Sequence, residues 1–124
     1  MEEIPMINRS ILIVKPRQPY LDWTRRLDDS FPLISLDEMR TDRTAYLVPE
    51  ILDKAAEQRT LRKFHKEIFD NELAAWTTDK SEWPKRRGFK TFLEWFDVEF
   101  HSAVVDLGKG VVGDVVMQVM QVMP

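Results

Sequence analysis

The alternation of apolar and polar residues predicts two strands early in the chain. Residues 10–15 read S-I-L-I-V-K, an apolar, β-branched run that stops at Pro16. Such a run is typical of a central strand buried on both faces. A second β-prone run, Thr44 to Val48, also ends at a proline, Pro49. We therefore predict two strands, with the first in the middle of a sheet.

Helical patterns lie between and after these strands. Pro19 suits a first helical position, and apolar residues recur at helical spacing as far as Leu27. Ser35 and Glu38 match a capping box, which predicts one helical turn over residues 36–40. From Glu50 to Trp76 there is neither Pro nor Gly. The apolar residues there recur at spacings of three and four, which predicts a long amphipathic helix, either continuous or broken near residues 58–60.

Residues 89–107 allow two interpretations. Their apolar positions satisfy helical spacing up to Gly108, yet residues 97–100 alternate polar with apolar and include strand formers. We favour a helix to about Phe96 followed by a third strand. This gives an α+β domain with a three-stranded sheet, in the order β-α-β-α-α-β, and helices on one face. The alternative is a mostly helical domain with a two-stranded sheet.

The chain divides into a predicted domain, residues 1–107, and a Val/Met-rich C-terminal tail, residues 108–124. Within residues 111–124 of this tail, apolar residues form a helical stripe, and this stretch has no Lys or Arg. A tail of this kind packs on the domain, frays, or mediates self-association through its flexible methionines.

Composition excludes several classes of protein. The 124 residues contain no cysteine, which removes disulfides, thiolate metal sites and cysteine nucleophiles. The acidic N-terminus lacks the features of a secretory signal, and no apolar run approaches the length of a membrane span. We therefore expect a cytoplasmic protein. The net charge of −3 argues against nucleic acid as the main partner, and no motif indicates a cofactor.

The best catalytic candidates are Asp97, Glu99 and His101. On a strand, the period of two places these side chains on one face, where two carboxylates and an imidazole suit metal binding or acid–base chemistry. Glu99 and His101 are the weak candidates for metal ligands. The alternative is a solvated face without chemistry. His65, beside the apolar stripe of the long helix, is interpreted as a packed, hydrogen-bonded residue.

The polar loop before the last helix carries the candidate partner-binding residues Trp83, Lys85, Arg86 and Arg87. An aromatic residue beside basic residues is typical of single-strand nucleic-acid binders, and an exposed tryptophan is typical of protein interfaces. The alternatives are a solvated basic loop and a tryptophan that anchors the loop on the core.

Five segments resemble a family of small hypothetical bacterial proteins to which no activity is assigned. They read I-L-I-V-K-P-R-Q-P-Y-L-D-W, Y-L-V-P-E, W-T-T-D-K-S-E-W-P, E-W-F-D-V-E-F-H-S and V-V-D-L. The resemblance covers about residues 10–107 and implies a bacterial, cytoplasmic source. It carries over no functional residues, and the Val/Met tail departs from it.

The sequence favours a non-enzymatic accessory or interaction domain that acts through protein partners or self-association. Two alternatives stay open: a metal-dependent hydrolase that uses Asp97, Glu99 and His101, and a weak binder of single-stranded nucleic acid.

Overall fold

The computed structural model describes residues 5–27, 34–108, 110–113 and 115. The elements follow the predicted order of an α+β domain, which confirms the fold class. Their bounds are β1 Arg9–Pro16, α1 Gln18–Leu27, α2 Leu36–Thr41, β2 Thr44–Pro49, α3 Lys54–Ala74, a 3₁₀ turn Lys80–Glu82, α4 Phe89–Trp95 and β3 Phe96–His101.

The three strands form an antiparallel sheet with β1 in the centre, in the order β2-β1-β3. Ile13 of β1 lies between Ala45 of β2 and Glu99 of β3. Outside the three strands, Met6, which precedes β1, and Val105, which follows β3, form an isolated antiparallel bridge. The prediction that the first strand is central is confirmed.

The helices cover one face of this sheet. Leu12 and Val14 point into a core shared with side chains from α1, α3 and α4, and both are buried. On the other face Ile11 and Ile13 are only half-buried, and Leu47 beside them is 54% exposed. The prediction of burial on both faces is therefore wrong. An unbroken apolar run does not reveal whether each face of the strand is covered by helices or is shielded only by neighbouring side chains.

The long helix α3 is continuous through residues 58–60, so the predicted break is absent. It begins at Lys54 because Asp53 caps it, accepting a hydrogen bond from the backbone N–H of Ala56 at 2.7 Å. Its buried residues follow the predicted stripe: Leu61, Ile68, Phe69 and Leu73.

The junction between α4 and β3 decides the question left open by the sequence. Trp95 ends the helix, and Phe96 is already extended, with φ −136° and ψ 142°. From Phe96 onward the chain pairs with β1, so that Val98 lies opposite Val14. This pairing provides hydrogen-bond partners for the backbone N–H and C=O groups on the second edge of β1. A helix in the same place could not provide them, because its own backbone groups are already bonded within the helix. The unbroken helix and the mostly helical alternative are thus wrong.

Beyond β3, the backbone N–H of Asp106 donates to the carbonyl of Pro5 at 2.9 Å. After this contact the described side chains are exposed, Leu107 at 84% and Val111 at 98%. Most of the Val/Met-rich tail, with its helical stripe, lies outside the described residues. In the part of the chain that is described, no helix combines the length and the apolar character that a membrane span requires.

Candidate functional site

Asp97, Glu99 and His101 lie on the outer face of β3, as the period of two predicts. The three side chains are held by ion pairs and hydrogen bonds. Glu99 contacts His101 Nε2 through Oε2 at 2.6 Å and Lys15 Nζ through Oε1 at 3.2 Å. The hydrogen bond that His101 donates, and then the one from Lys15, hold the pKa of the Glu99 carboxyl below its usual range.

Asp97 is satisfied by two guanidinium groups. Its carboxylate lies 3.6 Å from Arg17 Nη2 and 3.4 Å from Arg40 Nη2. His65 does not join this group, because its ring packs against Phe92 in the helical layer. His65 Nδ1 is 2.7 Å from the carbonyl oxygen of Arg62, as expected of a packed, hydrogen-bonded histidine. Among the described residues, no three His, Asp or Glu side chains are grouped so that they could hold a metal ion.

Trp83 anchors its loop on the core. It is only 8% exposed, and its indole N–H donates to the carbonyl of Thr77 at 2.9 Å. The indole N–H of Trp23 in turn donates to the backbone carbonyl of Glu82, in the same loop, at 2.9 Å. The anchoring alternative is therefore confirmed, and Trp83 does not offer an exposed ring to a partner. Lys85 and Arg86 next to it remain exposed.

A cleft that the sequence analysis missed lies between α1, α2 and the end of α3. Its volume is about 480 Å³. Its lining contains three carboxylates, two threonines and two aromatic rings, and no Lys, Arg or His is present among the described residues that line it. These side chains are Glu38, Asp42, Glu72, Thr41, Thr44, Tyr20 and Trp76.

Glu72 is the centre of the hydrogen-bond network in this cleft. The hydroxyl of Tyr46, on β2, donates to Glu72 Oε2, and Asn71 Nδ2 donates to that hydroxyl at 2.9 Å. Tyr20, on α1, donates to the backbone carbonyl of Glu72 at 2.6 Å. The hydroxyl of Thr44 also hydrogen-bonds the Glu72 side chain. Both tyrosines of the chain thus converge on one residue.

Burial raises the pKa of the Glu72 carboxyl, and the nearby charge of Asp42 raises it further. The hydrogen bonds from Tyr46 and Thr44 act in the opposite direction without cancelling the effect of burial. Burial, followed by the interactions with Glu72, also raises the pKa of Tyr46. A titratable group perturbed in this way, in a cleft with several other polar groups, is a marker of a functional site.

The arrangement suits a positively charged ligand. A carboxylate that is partly removed from water attracts a cation more strongly than an exposed one, because the local dielectric constant is lower. Trp76, half-buried in the wall, adds an aromatic surface of the type that favours ammonium and guanidinium groups.

One feature of the sequence indicates this site. Glu72 follows Ile68 by four residues, which puts a carboxylate on the apolar side of an amphipathic helix. An acidic residue in that position is rarely buried without partners. The partners, however, come from α1 and β2 and are not visible in the local pattern.

Comparison with family models, with curated proteins and with solved structures finds no match for this chain.

Proposed function

We propose that this protein is a non-enzymatic binding domain that takes a small organic amine into the cleft beside Glu72. The observation that carries the proposal is the Glu72 carboxylate, which accepts a hydrogen bond from Tyr46 beside a cleft lined by acidic and aromatic side chains. Tyr20 fixes the same residue through its backbone carbonyl. The sequence favoured an accessory or interaction domain without naming a ligand, and the proposal adds the charge of the ligand.

The charges that line the cleft favour a ligand of positive charge. Asp42 and Glu38 add negative charge around Glu72, and no basic side chain compensates for them among the described lining residues. Glu38 is exposed and closes the capping box of α2 with Ser35. Glu72 is half-buried, and the charge of Asp42 acts on it, so these two are the carboxylates that we expect to contact a cation.

The cleft has a suitable size. A volume of about 480 Å³ falls in the range of roughly 300–1,000 Å³ that is usual for small-molecule sites. Tyr20, only 3% exposed and hydrogen-bonded to the backbone carbonyl of Glu72, is held in the wall of the cleft. A preformed wall lowers the entropy that binding would otherwise cost.

Isothermal titration calorimetry with butylamine and 1,4-diaminobutane tests the proposal, with butanol as the uncharged control ligand. We expect the amines to bind and butanol not to bind. Glu72→Gln keeps the shape of the side chain but removes its charge, so it should weaken amine binding at least tenfold, or about 1.4 kcal/mol.

Glu67→Gln is the matched control, because it removes a charge from the exposed side of the same helix. It should leave the affinity for amines within twofold of the original chain. Failure of both amines to bind at millimolar concentration would overturn the proposal, as would equal affinity of the original chain and the Glu72 variant.

A further inference from the structure

One strip of α3 carries four basic residues. Arg59, Arg62, Lys63 and Lys66 are spaced by three, one and three residues, which places them on the same side of the helix. All four are exposed. The apolar side of α3 is buried in the core, so this basic strip faces outward.

The loop before α4 brings a second basic segment alongside this strip. The guanidinium of Arg62 lies over the ring of Phe89, at 4.4 Å from its centroid. Arg87 Nε lies 3.8 Å from Asp70 Oδ1, too far for a hydrogen bond but close enough for an ionic contact. Residues 87–89 therefore follow α3 over the two turns from Asp70 back to Arg62.

This juxtaposition creates what we call the α3–α4 basic surface. It consists of eight basic residues: Arg59, Arg62, Lys63, Lys66, Lys85, Arg86, Arg87 and Lys90. Within residues 59–70 and 85–94 the only carboxylates are Glu67, Asp70 and Glu94, and Asp70 is engaged by Arg87. A strongly positive region thus lies on a chain whose net charge is −3.

We propose that the α3–α4 basic surface binds the phosphate backbone of nucleic acid. From residue 59 to residue 70 a helix rises about 16 Å, at about 1.5 Å per residue. Phosphates follow one another at about 3.4 Å along each strand of a duplex, so a surface of this length faces four or five of them. Exposed cations spaced along α3, with further exposed basic residues in the adjoining segment 85–90, match a linear polyanion.

The mode of binding follows from the position of Trp83. Because this ring is buried, it offers no platform for base stacking. Binding rests on charge, so it should depend steeply on salt and little on base sequence.

An anionic membrane is the less suitable partner. Helices that lie on a membrane insert an apolar face between the lipids, but the apolar face of α3 is part of the core. In the two segments that form the basic surface, the exposed large apolar side chain is Leu93, at 40%, and it is followed directly by Glu94.

Fluorescence anisotropy with labelled 20-nucleotide single-stranded DNA, the same sequence as RNA, and a 20-base-pair duplex tests the proposal. For about four phosphate contacts on a single strand, affinity should fall roughly 50-fold between 50 and 200 mM KCl. A second oligonucleotide of scrambled sequence should bind within twofold of the first.

The test variant combines Lys66→Gln, Arg86→Gln and Lys90→Gln, which are exposed and make no ion pair within the described residues. It should bind at least tenfold more weakly at 50 mM KCl, with a salt dependence shallower by about two in the log–log slope. The control variant removes the same charge elsewhere, through Arg9→Gln, Arg26→Gln and Arg43→Gln. Its affinity should stay within twofold of the original chain.

Three results would overturn the proposal: no binding of any oligonucleotide at 50 mM KCl, an equal loss of affinity in both variants, or co-sedimentation with phosphatidylserine vesicles without oligonucleotide binding. The last result would assign the surface to a membrane. None of these results depends on the amine site, because the two surfaces share no residue.

Discussion

The hydroxyl of Tyr46, on a strand, donates a hydrogen bond to the carboxylate of Glu72, on a helix, although the two residues are 26 positions apart in the chain. This contact joins β2 to the last turn of α3 and holds the carboxylate in the cleft. It is the basis of the first two predictions.

Tyr46→Phe should lower the free energy of unfolding by about 1–2 kcal/mol, because a partly buried carboxylate loses a hydrogen bond. It should also raise the pKa of Glu72, since this hydrogen bond lowers it. Urea unfolding measures the first effect, and carbon-detected NMR titration of the Glu72 carboxyl measures the second. A variant with unchanged stability and unchanged Glu72 titration would show that the contact contributes nothing.

Stability should fall with rising pH in the range set by Glu72. Its pKa is higher in the folded chain than the ordinary value of 4.5, so the folded state binds more protons there than the unfolded state. Unfolding becomes more favourable as pH rises from about 4.5 through the raised pKa.

Glu72→Gln removes this titration. Between pH 4 and pH 8, urea unfolding curves of the original chain and of the variant should therefore diverge, with the original chain losing stability relative to the variant. Glu67→Gln serves as the control, and it should follow the original chain. If the free energy of unfolding changed with pH in the same way in all three proteins, the raised pKa of Glu72 would be contradicted.

Trp83→Ala should destabilise the fold by about 3–5 kcal/mol, as expected when a large buried aromatic side chain is removed. The variant loses the core contacts of the ring and its hydrogen bond to Thr77. Thermal unfolding followed by circular dichroism measures the effect. Leu93→Ala, at a position that is 40% exposed, is the comparison and should cost less than about 1 kcal/mol. Equal costs would mean that the ring does not anchor the loop.

His101→Ala should raise the pKa of Glu99 toward its usual value, because the hydrogen bond from His101 is the main cause of its lowering. The stabilisation linked to Glu99 is present above its ordinary pKa and is lost as pH falls through the lowered value. NMR titration of Glu99 provides the measurement. Lys15→Met should produce a smaller shift in the same direction.

The same site should not respond to metals. Because Asp97 and Glu99 are engaged by Arg17, Arg40, Lys15 and His101, adding Mn²⁺ or Zn²⁺ should change the melting temperature by less than about 1 °C. A larger stabilisation that disappears in His101→Ala would restore the metal-dependent hydrolase as a hypothesis.

A chain that ends at Leu107 should unfold within about 2 °C of the full chain, since the described side chains beyond Asp106 are exposed and add little buried surface. Self-association through the Val/Met tail stays a prediction. Light scattering on both chains tests it: a full chain larger than a monomer and a monomeric truncated chain would support it, whereas two monomers would contradict it.

Much of the fold was predictable from local patterns. The run at residues 10–15, the capping box at Ser35 and the stripe of α3 each reflect a periodicity or a hydrogen bond within a few residues. Even the change from helix to strand at Phe96 is marked by alternation after Asp97. The shared face of Asp97, Glu99 and His101 follows from the same local rule.

The sequence by itself determined the elements and their order as far as α4, and the absence of cysteine chemistry. The tertiary structure decided that the chain after Trp95 is a third strand, because only its pairing with β1 distinguishes a strand from a continued helix. Only the tertiary structure decided that Trp83 is buried, that Asp97 and Glu99 are neutralised, that Tyr46 reaches Glu72, and that Arg62 meets Phe89. The physical reason is the distance along the chain over which each kind of interaction acts. Secondary structure depends on steric and hydrogen-bond preferences of neighbours in the chain, whereas charge pairing and burial depend on which distant segments packing brings together.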